Sequence, residues 1–134
     1  MERLNISGHS PYEAAFGFSR AVRSGDRVLV AGTAPVPAGG GAPPADPYGQ
    51  ARLCIDLIAE ALAKAGTDLA HVVRTRIYLT DAAYWPEVAR AHGETFAQTR
   101  PAATAVVVSA LLDPAWLVEI EAEAVIPPGR DGTI

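Results

Sequence analysis

Hydrophobic and polar positions alternate most regularly near the end of the chain. Trp116, Val118, Ile120, Ala122, Ala124 and Ile126 fall on one face of an extended segment, and Leu117, Glu119, Glu121, Glu123 and Val125 on the other, which predicts a strand over 116–126. Its carboxylates, two residues apart on one face, repel one another unless cations lie near. A second alternating segment, 72–80, supplies candidates: Arg74, Arg76 and Tyr78 share one face, and Thr75, Ile77 and Leu79 the other. Two readings of the acidic face stand open, a solvated ladder of ion pairs or one carboxylate set into a cleft. Elsewhere the period lengthens to about 3.6. Ala51, Cys54, Ile55, Ile58, Leu62 and Ala65 predict a helix over Tyr48–Ala65, with Gly66 placed to stop it. Val88, Ala91, His92 and Phe96 predict a second helix. It starts around 83–85, because Pro86 fits only a first turn, and ends near Gln98.

Phe18–Arg23 and Arg27–Ala31 read as a hairpin turning at Ser24-Gly25-Asp26, and Ala103–Ala110 as a strand joined to the last one through 111–115. The order is β-β-α-β-α-β-β, an α+β domain with one mixed sheet and two helices on one face. The opposite face must be polar or buried against another subunit. Gly and Pro make 35–47 a surface loop and 127–134 a tail expected to fray.

At 134 residues, 1–134 reads as a single domain with enough chain to bury a core. The net charge of −4 argues against a nucleic-acid partner. Apolar runs fall short of the roughly 20 residues a membrane span needs, and the N-terminus lacks the layout of a secretion signal. A cytoplasmic protein is the expectation. Cys54, the single cysteine, falls on the apolar face of the first helix and reads as a small hydrophobe. His9, His71 and His92 have no ligand spacing, so no metal site is expected.

Several segments, in this order, resemble the RidA/YjgF family. They are Val30-Ala31-Gly32-Thr33, the stretch 72–81 (VVRTRIYLTD), the stretch 100–108 (RPAATAVVV) and 117–122 (LVEIEA), within a likeness running from about Pro11 to Ile126. The resemblance implies a chorismate-mutase-like fold and a homotrimer whose free sheet faces form a central barrel, with clefts between subunits. It implies hydrolysis of reactive enamines and imines to keto acids and ammonia, with no metal or organic cofactor. Residue by residue, Glu119 matches the glutamate that holds the water, Tyr12 a tyrosine of the loop reaching the cleft, Gly32 a glycine whose backbone lines it, and Ala105 a source of backbone contacts. Ala103 stands where the family's substrate-clamping arginine would be. Each charge-assisted hydrogen bond is worth about 1.5–3 kcal/mol, so loss of the pair weakens carboxylate binding by roughly two to four powers of ten. The chain therefore resembles divergent branches that lack this arginine.

Arg100 and Arg20 are the two candidates for a replacement cation. Arg100 otherwise caps carbonyls beside Pro101, and Arg20 otherwise faces solvent from a strand end. His92 has the residue type of a general acid or base but sits where a helix buries its inner face. Ala103, Ala105 and Val107 share one strand face. If that face lines the cleft, the pocket is wider and more apolar than an imino-acid site and suits a larger or uncharged substrate. Three functions follow: an enzyme of enamine or imine chemistry in a biosynthetic or catabolic pathway, with Glu119 catalytic; a non-catalytic trimer that binds a small metabolite; and, remotely, an endoribonuclease.

Overall fold

The structure, a computed structural model, describes residues 2–129. Its strands are β1 (Arg3–Ile6), β2 (Ala21–Ser24), β3 (Arg27–Thr33), β4 (Val72–Leu79), β5 (Ala102–Val107) and β6 (Val118–Val125). The helices are α1 (Tyr12–Phe16), α2 (Pro47–Lys64) and α3 (Trp85–Phe96), with single 3-10 turns before β4 and α3. The strands form one mixed sheet in the order β1-β2-β3-β6-β4-β5, in which only β4 and β5 run parallel.

The α+β architecture is the expected one, with α2 and α3 on one face. Two elements precede the predicted hairpin. β1 adds an edge strand beside β2, and α1 is a single helical turn. The predicted first strand also begins later, at Ala21, because Gly17 takes a left-handed conformation (φ 81°) and ends α1. The loop before α2 has no regular structure. Of the predicted tail, 127–129 has none either, and 130–134 lie outside the described residues.

α2 forms where its sequence permits. Asp46 caps it, its carboxylate accepting the Gly49 N–H at 2.8 Å, and Pro47 occupies the first turn where no N–H is needed. The predicted apolar stripe is buried throughout, from Ala51 to Ala65. Gly66 follows with φ 91°, and Arg23 Nη1 donates to the Ala65 carbonyl at 2.9 Å, closing the helix end. On β6, Val118, Ile120, Ala122 and Ala124 are buried under α2, and the carboxylates face the other way. That acidic face is partnered in part as anticipated. Glu123 pairs with Arg76 at 2.9 Å and Arg27 at 3.2 Å, and Tyr78 donates its hydroxyl to Glu121. Arg74 instead donates to the Thr104 hydroxyl at 2.9 Å. β5 is exposed along its whole length although its residues are Ala, Thr and Val.

Candidate functional site

The site originates in a β-bulge. Val30 pairs with Ala122 and Thr33 with Ile120, so β3 carries one residue more than β6 over this span. The extra length brings Gly32 down onto Glu119. A Cβ at Gly32 would lie 2.5 Å from Glu119 Oε2, so a side chain and this carboxyl position exclude each other. Glycine is required here for close approach.

Around this pair lies a cavity of about 160 Å³. One wall is the segment 8–18. Tyr12 and Phe16, one turn apart on α1, stack with ring centroids 5.3 Å apart, and both are largely exposed. α1 buries no side chain, so polar ties hold the segment. The Glu13 carboxylate accepts the Gly8 N–H at 3.0 and 3.1 Å, His9 Nε2 lies 2.7 Å from Glu60 Oε2 of α2, and Lys64 Nζ donates to the Ser7 carbonyl at 3.2 Å. The lining also includes Leu112, 88 % exposed, and Trp116.

Gln50 fastens the chain on either side of Trp116. Its side chain is 1 % exposed, its amide donates to the Pro44 and Ala115 carbonyls at 2.9 Å each, and its carbonyl accepts the Leu117 N–H at 2.8 Å. One buried amide thus joins α2, the Gly/Pro loop and the start of β6. No spacing in the sequence signals this, because the partners lie up to 67 residues away.

Arg20 enters from the floor. Its main chain bridges β1 and β3, the N–H donating to the Ile6 carbonyl at 2.8 Å and the carbonyl accepting the Ala31 N–H at 2.9 Å. Its side chain donates through Nη2 to the Gly32 carbonyl and lies 5.7 Å from the Phe18 ring centroid. Burial holds the Arg20 pKa below its ordinary value, against the opposing pull of Glu13 and Glu119. Burial likewise raises the Glu119 carboxyl above the usual carboxylate range; Arg20 counters this and Glu121 adds to it. A carboxyl so placed can hold a proton nearer neutrality than an exposed glutamate and can return it, the property a proton shuttle needs. Beneath it, Cys54 is fully buried, and burial with the Glu119 charge pushes its thiol far up, so it stays protonated and inert.

The cavity brings together four of the predicted residues, Tyr12, Arg20, Gly32 and Glu119. The others lie elsewhere in the chain. Ala103, Ala105 and Val107 line an open groove between β5 and α3, with Trp85 and His92. They stand beside the helix and are exposed. His92 Nε2 is 2.9 Å from the Thr75 hydroxyl, the ring packs 4.7 Å from Phe96, and burial lowers its pKa, so it stands neutral near pH 7. Arg100 is exposed at the turn into β5, with φ 51° and its N–H donating to the Phe96 carbonyl at 2.8 Å. Among the described residues no cluster of three or more His, Cys, Asp or Glu side chains is placed to hold a metal, and no helix is long and apolar enough to cross a membrane.

The fold is a mixed six-stranded α+β domain in which a bulged strand presses Gly32 onto the half-buried Glu119. Residues 8–126 match the family model described as Endoribonuclease L-PSP. The chain is 40% identical over 119 residues to the uncharacterized protein SCO2049 of Streptomyces coelicolor, covering 89% of each chain. It is 34% identical over 122 residues to the RutC family protein y4sK of Sinorhizobium fredii, covering 90% of this chain and 94% of the other. The crystal structure of Rv2704 from Mycobacterium tuberculosis, described as a member of the YjgF/YER057c/UK114 family, superposes with a TM-score of 0.86 at 44% identity, covering 93% of this chain and 100% of that one. The chain belongs to this family, known equally as RidA/YjgF.

Proposed function

We propose that this protein is a small-molecule enzyme that hydrolyses or tautomerises an enamine- or imine-type metabolite at Glu119, by a route that calls for no cofactor. The supporting observation is the half-buried Glu119 carboxyl seated against Gly32 in a cavity it shares with Tyr12 and Arg20. Protonated Glu119 gives its proton to the β-carbon of an enamine, leaving an iminium. Water then adds to the iminium carbon and the Glu119 carboxylate takes the water's proton. The carbinolamine collapses to a carbonyl compound and ammonia, and the net change is addition of one water and loss of one ammonia. Tyr12 and the backbone at Gly32 orient the substrate.

The working form in this reading is a homotrimer. Two features support it: β5 is exposed and unpaired on its outer edge, and among the described residues no helix packs on the sheet face opposite α2 and α3. In the trimer a neighbouring copy brings its groove of Ala103, Ala105 and Val107 to the Glu119 cavity, and Ala105 contributes backbone contacts. A second reading, a non-catalytic trimer binding a small metabolite, draws on Ala103 in place of the family's arginine. The description of the family model raises RNA cleavage, which the net charge of −4 disfavours.

The test is ammonia and keto-acid release from freshly generated 2-imino acids by the wild type, Glu119→Ala and Ala103→Arg. Wild-type turnover lost in Glu119→Ala supports the enzyme. A gain only in Ala103→Arg supports an intact scaffold with a changed substrate. Three inert proteins favour the binding reading.

A further inference from the structure

Buried charges in proteins are normally paired and hydrogen-bonded, and an unpaired one is costly. Arg20 departs from this. Its Nε is buried without an acceptor, and no carboxylate lies within ion-pair distance of it among the described residues. The nearby Glu13 carboxylate is engaged with the Gly8 N–H through both oxygens. Glu119 lines the same cavity without contacting the guanidinium as an ion pair. The side chain is nonetheless fixed. A Cβ at Gly8 would meet its Cγ and Cδ at 2.9 Å, and Nη2 is tied to the Gly32 carbonyl. Nη1, unlike Nε, is not buried and makes no hydrogen bond among the described residues, so the held guanidinium presents a free donor to an anion at the cavity wall. Arg100, the other candidate cation, is exposed at the start of β5, outside the cavity of its own chain, and undiminished phenylpyruvate affinity in Arg20→Gln is the outcome that would favour it on a neighbouring copy.

The part of the cleft that this chain supplies sets a minimum for the rest of the ligand, before a neighbouring copy adds its groove. A cavity of about 150 Å³ lined by apolar side chains accepts a benzene ring, and this one is about 160 Å³. Its walls include Tyr12, Phe16, Phe18 and Trp116. We infer that Arg20 is the anion anchor of this cleft, and that the substrate is a monocarboxylate carrying a ring-sized apolar group, its carboxylate on Arg20 and its reacting carbon beside Glu119. The inference rests on the reading of the Glu119 cavity as the ligand site, and it moves the anchoring charge from position 103 of the family pattern to the floor of the cleft. An anion bound here also lies near Glu119 and favours its protonated form, the one that protonates an enamine carbon.

Binding of a stable keto acid separates this inference from turnover. Phenylpyruvate, which has the ring and the carboxylate, is titrated calorimetrically into the full-length protein, with phenylacetone as the neutral analogue of the same shape and pyruvate as the acid without the ring. Phenylpyruvate is expected to bind at least about tenfold more tightly than either. Arg20→Gln is expected to remove that advantage over phenylacetone, Arg20→Lys to restore part of it, and Glu119→Gln, which removes a nearby negative charge, to keep or raise it. Melting curves of each variant report folding, and Arg20→Lys keeps the test available if Arg20→Gln is unstable. Equal binding of phenylpyruvate and phenylacetone by the wild type overturns the inference, as does undiminished phenylpyruvate affinity in folded Arg20→Gln. Failure of imine hydrolysis in wild type, Glu119→Ala and Ala103→Arg alike, with phenylpyruvate still bound through Arg20, overturns the enzyme reading and leaves the anchor standing.

Discussion

Adding one methyl group at Gly32 separates what the bulge does for folding from what it does for chemistry. Gly32 does not adopt a positive φ, so alanine suits its backbone. The new Cβ would sit 2.5 Å from Glu119 Oε2, 0.9 Å closer than the 3.4 Å at which ordinary contact begins. The next nearest atoms, Glu119 Cδ and Cγ, lie at 3.5 and 3.9 Å, so the clash falls on the carboxylate alone. That group ends a flexible side chain and can swing aside. Overpacking a rigid core costs about 1–3 kcal/mol, and Gly32→Ala is expected at or below the lower end of that range. The carboxylate, however, must move by nearly 1 Å, and a displacement of that size at a reacting group costs on the order of a hundredfold in rate. Thermal melting and ammonia release are therefore expected to diverge: a shift of a few degrees, with activity reduced about a hundredfold. Full activity in Gly32→Ala would refute the idea that the bulge fixes the working position of Glu119.

Other expectations follow from the same contacts. Gln50→Leu strands two carbonyls and one N–H. At about 1–3 kcal/mol for an unsatisfied buried group, it is expected to lower the melting temperature by on the order of 10 °C in a calorimetric scan. Glu119 has a folded-state pKa raised above its unfolded one, so its protonated form favours folding, and that contribution is lost as pH rises through the folded pKa. Glu119→Gln should therefore melt higher than wild type at pH 8, and the gap should close toward pH 4; a gap that widens in acid contradicts the assignment. Thr75→Val removes the hydroxyl beside His92 Nε2 and should cost about 1 kcal/mol in urea unfolding, without changing turnover. Sedimentation should find a species of three 14.0 kDa chains, and a monomer at micromolar concentration would contradict the proposed assembly.

How much of this was legible in the sequence differs between elements for physical reasons. β6 and α2 announce themselves because each buries one face completely, so period and burial coincide. β1 spans four residues and buries only Ile6, and α1 spans five and buries none, so neither leaves a periodic trace. β5 is exposed on both faces, and its side chains carry no sign of which way the sheet turns them. Glu119, Gly32 and Tyr12 were reachable through family resemblance. The bulge that joins Gly32 to Glu119 was not, because it is a mismatch of register between strands about ninety residues apart in the chain. Gln50 reads as an ordinary polar helix position, and its burial makes sense only once three backbone groups from distant segments surround it. Arg20 is a candidate cation from sequence, but its buried Nε without an acceptor is a property of the folded chain alone.

The most direct test of the account is a side-by-side assay of wild type and Glu119→Gln, with ammonia release from a freshly generated aromatic 2-imino acid measured beside phenylpyruvate affinity. Glu119→Gln is expected to fall to the rate of the uncatalysed reaction while its phenylpyruvate affinity is kept or raised. Wild-type turnover in Glu119→Gln would contradict the account.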